Sequence, residues 1–208
     1  MKRPPAANYL GNHSLKPESN TGSDRLYAFC QLVASRYSNN WPPPEEQIAE
    51  EFASFFDVGF STLGAWIELC TSLNIRVTLT SLPQGLGGHH TCFNNERAIW
   101  LPEKDRFPGA REHTLLHELR EILEHIFCDL GLPTVDAESH EARAEEFAAH
   151  TRMIASKKMW GAFLEDAKKI DSTWWRRGAY VLIGFGALLH AAGSAFLPYF
   201  EDSLPPSD

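Results

Sequence analysis

A chain of 208 residues, 43% hydrophobic and 22% charged, has room for one well-buried domain and a short appended segment, and this composition excludes wholesale disorder, collagen and coiled-coil classes. Nineteen Lys and Arg against 27 Asp and Glu give a formal net charge of -8, which opposes a polyanionic partner, so direct nucleic-acid binding is not expected. Cys30, Cys70, Cys92 and Cys128 form no CxxC pair, which removes zinc ribbons and thioredoxin-like motifs and suits a reducing, cytoplasmic setting.

Residues 1–23 are rich in Pro, Asn, Ser and Gly and lack both an apolar secretory segment and apolar periodicity, so they read as a disordered leader with order beginning near Asp24. Leu26, Phe29, Cys30 and Val33 then recur at helical spacing until Ser38-Asn39-Asn40 and Pro42-Pro43-Pro44. A second helix is expected from about Glu45, with Ile48, Phe52, Phe55 and Phe56 on one side. A third should carry Leu63, Trp66, Ile67, Cys70 and Leu73, capped by Ser61. Three short helices raise the helix-turn-helix class. Their acids, Asp24, Glu45, Glu46, Glu50, Glu51, Asp57 and Glu68, face only Arg25 and Arg36, a surface that repels DNA.

Ile75, Val77 and Leu79 alternate with polar residues as in a half-buried strand, and a Gly-rich loop at 83–88 follows. His90–Phe93 and Glu96–Leu101 flank Asn94-Asn95, a pair that tolerates positive φ and suits a hairpin turn. His89 and His90 follow a Gly-rich loop placed to border the cleft, but the preferred reading makes them surface histidines of that hairpin.

Residues 112–128, EHTLLHELREILEHIFC, carry the chemistry. At about 100° per residue, Leu115, Leu116, Leu119, Ile122, Leu123, Ile126 and Phe127 share one apolar arc, and His113, His117, Glu118, Glu121, Glu124 and His125 share the other. His117-Glu118 opens an HExxH pattern, in which two side chains one turn apart bind zinc and the Glu activates water. The last position is Glu121, whose carboxylate keeps the i,i+4 geometry and is an accepted zinc ligand. The harder oxygen donor lets Mn²⁺ or Fe²⁺ compete with Zn²⁺. A third ligand is expected from a neighbouring helix, and Glu141 and Glu145 lie one turn apart in the next helical stretch, one suited to the metal and the other to orienting a ligand His. His113 and His117 form an alternative HxxxH pair, whereas His125 lies about 12 Å along the helix axis from His117 and cannot join it on one ion.

Arg111-Glu112-His113-Thr114-Leu115-Leu116-His117-Glu118-Leu119, followed by Glu141-xx-Ala144-Glu145-x-Phe147-Ala148-Ala149, resembles the ImmA/IrrE type of zinc metallopeptidase. Residues 73–77, 82–88 and 98–101 resemble that family's strand and hairpin region, and the likeness covers roughly residues 45–155. The resemblance implies an α+β, zincin-like metallopeptidase domain over 24–173, with a small sheet packed on the active-site helix and a helical N-terminal part. It further implies His117 and Glu141 as ligands, Glu118 as general base, and a partner protein, such as a helix-turn-helix repressor, as substrate. The chain departs from the family pattern in four places: Glu121 stands where it has the second ligand His, His113 where it has an aromatic residue, Glu145 where it has Asn or Asp, and Thr151-Arg152-Met153-Ile154 where it has an apolar ending. The first departure keeps open a second function, a binding or regulatory module that has lost hydrolysis.

Residues 174–208 form an apolar C-terminal helix and short tail in this reading. The stretch 179–197 carries no formal charge and is flanked by Arg176-Arg177 and Glu201-Asp202, so it suits either a core helix or an anchor that leaves the catalytic part on the cytoplasmic side of a membrane.

Overall fold

In a computed structural model, residues 22–59, 62–93, 96–106, 108–133 and 135–169 are described. Among them the chain is α+β, with five helices and one three-stranded sheet. The order is α1 (Gly22–Arg36), α2 (Glu45–Phe55), α3 (Leu63–Ser72), β1 (Ile75–Thr80), β2 (His89–Phe93), β3 (Glu96–Pro102), α4 (Ala110–Asp129) and α5 (Ala137–Lys168). Helix α1 thus starts two residues before the expected Asp24, and the stretch 1–21 of the expected leader lies outside the described residues. No helix among the described residues is long and apolar enough to cross a membrane, and 179–197 lies outside them.

Leu26, Phe29, Cys30 and Val33 of α1 are fully buried, as their spacing requires. Phe29 meets Phe52 of α2 edge-on at 5.5 Å, and Phe52 meets Phe147 of α5 at 5.6 Å, so one aromatic chain joins three helices. Phe55, expected in that core, lies at its margin with 37% exposure. The cap of α3 is Thr62, not Ser61: the Thr62 hydroxyl accepts the Ala65 N–H at 3.4 Å.

The sheet runs β1-β3-β2. β3 pairs parallel with β1, Val77 opposite Ile99, and antiparallel with β2, His90 opposite Ile99. Central β3 buries Ala98, Ile99 and Leu101, whereas the expected alternation on β1 fails at Leu79, which is 42% exposed. Helix α4 packs against β2 and β3 as well as α5, so both of its arcs are covered. All seven apolar residues of its expected core arc are buried, and so are His113, His117, Glu118 and Glu124 opposite them.

Arg120, 2% exposed, sits in the middle of this helix. Its Nε and Nη2 donate to Glu45 of α2 at 2.7 and 2.9 Å, and its Nη1 donates to Glu124 at 2.7 Å. Arg143 of α5 adds a contact to Glu45 at 2.5 Å. The cluster ties α2, α4 and α5 together and takes Glu124 out of the donor arc. Arg120→Leu strands the buried Glu124 carboxylate and leaves buried Glu45 with Arg143 alone, and we expect it to destabilise the fold by about 3–5 kcal/mol. Urea unfolding within 1 kcal/mol of wild type would contradict that expectation.

Candidate metal centre

The centre is built from α4, α5 and the edge strand β2. The period of α4 places His117 and Glu121 one turn apart. Helix α5, whose N-cap Asp136 accepts the Ser139 N–H at 2.9 Å, brings Glu141 and Glu145 alongside. One donor atom each from His117, Glu121 and Glu141 lies within 4.8 Å of the others. The three expected ligands are thus brought together, with His117 buried, Glu121 half-buried and Glu141 65% exposed at the mouth.

Glu145 touches His117 from behind. Its Oε1 is 3.0 Å from His117 Nδ1, which leaves Nε2, 3.5 Å from Glu141 Oε1, as the imidazole's free donor. The same carboxylate holds His113, with Oε2 at 2.6 Å from His113 Nε2. His113 therefore lies behind His117, and it belongs to neither donor group found among the described residues. The set of one imidazole nitrogen and two carboxylate oxygens fits a divalent first-row cation, and its carboxylate-bound imidazole has the usual orientation of a ligand.

Electrostatics follow from this crowding. Burial opposes charging of Glu145 and His117, but it is outweighed by the sum of hydrogen bonds and charges around them: His113 and His117 together hold the Glu145 carboxyl well below the usual range, and Glu145, with the charges of Glu141 and Glu118, raises His117. Burial likewise disfavours charge on Glu121, yet the hydrogen bond and charge of His90 bring it down to about 2.

His90 is the residue that sequence reasoning misplaced. Its Nδ1 lies 2.8 Å from Glu118 Oε2 and 2.9 Å from Glu121 Oε2, inside the centre and not on the hairpin surface. Burial lowers its affinity for a proton, but the two carboxylates more than reverse this and push the imidazole up to about 9. The signal was the period of two: His89, Thr91 and Phe93 face outward, so His90 and Cys92 must face α4. His125, excluded as a ligand of the His117 group, instead meets His90, Nε2 to Nε2 at 3.3 Å. Burial and then the charge of His90 lower the His125 pKa. His140 Nδ1, also unforeseen, lies 3.4 Å from Glu121 Oε1.

Gly88 makes this approach of β2 possible. A Cβ there would lie 2.4 Å from Thr114 Cγ2 and 2.8 Å from Glu118 Oε1. We expect Gly88→Ala to cost about 1–3 kcal/mol through overpacking, with part of it recovered on adding Thr114→Ser, which deletes the clashing methyl. A double variant no more stable than Gly88→Ala in denaturant titration would show that the strain lies elsewhere.

No known family model, curated protein or solved structure matches the chain.

Proposed function

We propose that the chain is a metal-dependent endopeptidase with a zincin-like domain, similar to the ImmA/IrrE type. The observation that carries this reading is the convergence of His117, Glu121 and Glu141 within 4.8 Å, beside the buried carboxylate of Glu118. These three side chains would hold Zn²⁺, or Mn²⁺ or Fe²⁺ given two oxygen donors. When bound, such an ion supplies Lewis-acid polarisation of a peptide carbonyl and makes water more acidic.

The chain's own groups do the rest. Glu145 fixes the His117 ring so that Nε2 is presented to the ion. Glu118, 7% exposed, takes the proton of the attacking water and passes it to the leaving amine. His90, bonded to Glu118 and Glu121, fixes both carboxylates against the edge strand. The substrate class is a peptide bond in a partner protein, a helix-turn-helix repressor on the strength of the family likeness, met in the cytoplasm. Attachment to a membrane through 179–197 is decided by fractionating full-length chain against a truncation after Trp174.

Glu121 in place of a histidine, itself bonded to His90, favours one other reading: a regulatory module that holds the ion but has lost hydrolysis. One experiment separates the two. Full-length protein loaded with one equivalent of Zn²⁺ is incubated with a denatured protein library and the new N-termini are sequenced. Chelator-sensitive cleavage at restricted sites is expected of the peptidase; metal uptake without cleavage is the result of the module.

A further inference from the structure

Glu121 belongs to two donor groups. The second group contains His90 and Glu118, and one donor atom from each of its three side chains lies within 4.8 Å of the others. From this geometry we propose a second divalent-cation site formed by His90, Glu118 and Glu121, adjoining that of His117 and Glu141, with the Glu121 carboxylate shared between them.

The donors come from two separately anchored elements. Glu118 and Glu121 are three residues apart on α4, so they project from one face, and His90 descends on them from β2, whose close approach is set by Gly88. The two oxygens of Glu121 face different neighbours: Oε2 lies 2.9 Å from His90 and Oε1 lies 3.4 Å from His140. A carboxylate so placed has an oxygen to offer on each side. The second nitrogen of His90 is engaged by His125 at 3.3 Å, as Nδ1 of His117 is engaged by Glu145 at 3.0 Å. Both imidazoles thus have one ring nitrogen held and the other turned toward carboxylates, the arrangement of a ligating histidine. With the imidazoles neutral, as ligation requires, the carboxylates of Glu118, Glu121, Glu141 and Glu145 formally balance two dications. The donors, one nitrogen and two oxygens, suit Mn²⁺, Fe²⁺ or Zn²⁺.

Occupancy has a consequence that rests on the peptidase reading: a Glu118 oxygen bound to a cation cannot accept the proton of water, so filling the His90 site shuts hydrolysis down. Metal level then sets activity.

The test is equilibrium dialysis of full-length protein against Mn²⁺ and against Zn²⁺, followed by elemental analysis and, for Mn²⁺, electron paramagnetic resonance. Wild type is expected to bind two ions per chain with an exchange-coupled Mn²⁺ signal. His90→Gln should bind one and give an uncoupled spectrum, with far-UV circular dichroism unchanged. Glu118→Gln is the independent second variant and should also stop at one. Saturation of wild type at one ion overturns the proposal, as does retention of two ions in both variants. The peptidase reading is judged separately. Two ions bound with no hydrolysis at any loading sinks that reading and leaves the second site standing; hydrolysis by a chain that never exceeds one ion does the reverse.

Discussion

Glu118→Gln, loaded with one equivalent of Zn²⁺, is expected to keep the ion on His117, Glu121 and Glu141 while losing hydrolysis by about 10²–10⁴-fold. The amide is nearly isosteric with the carboxylate, and it can still accept a hydrogen bond from His90, which lies 2.8 Å from Glu118 Oε2 in the native chain. It cannot take a proton from water near neutral pH. Metal content and turnover of the same substrate, measured side by side, separate binding from chemistry. Cleavage at the wild-type rate with the ion retained means that another group is the base.

Variation of the ligands should move affinity in opposite directions. Glu141→Ala removes an oxygen donor from the group of His117 and Glu121, and the first equivalent of metal should be largely lost. Glu141 is exposed at the mouth, so the fold should tolerate the change. Glu121→His restores HExxH and replaces an oxygen by a nitrogen donor. Zn²⁺ should then bind tighter by roughly tenfold or more, about 1.4 kcal/mol. The same variant deletes the carboxylate shared with His90 and Glu118, so the second equivalent should vanish. A competition titration with a chromophoric chelator reads both effects. Unchanged Zn²⁺ affinity in Glu121→His would turn attention to the His113 and His117 pair, which in this structure meets on Glu145.

Periodicity determined a good deal about this protein. The apolar arc of 112–128 defined the buried side of α4, the Ile75 strand and the Asn94-Asn95 hairpin gave the elements of the sheet, and the spacing of His117, Glu121, Glu141 and Glu145 nominated the very side chains that converge between α4 and α5. These are local rules, in which 3.6 residues per turn or two per repeat decide what shares a face. What covers that face is not local. Burial of Arg120 depends on Glu45, 75 positions away, and on Arg143 arriving from α5, so its i,i+4 pair with Glu124 is part of an interior ion cluster. His90 entered the centre because β2 pairs with β3 and lies across α4, a contact between positions 28 apart that a reading of either segment alone does not contain. The sequence by itself determined the helices, the strands and the inward set of donors on each helix. Only the tertiary structure decided that a third element, the edge strand, closes over them, because that depends on how the sheet packs on α4 and on the space left where Gly88 has no side chain.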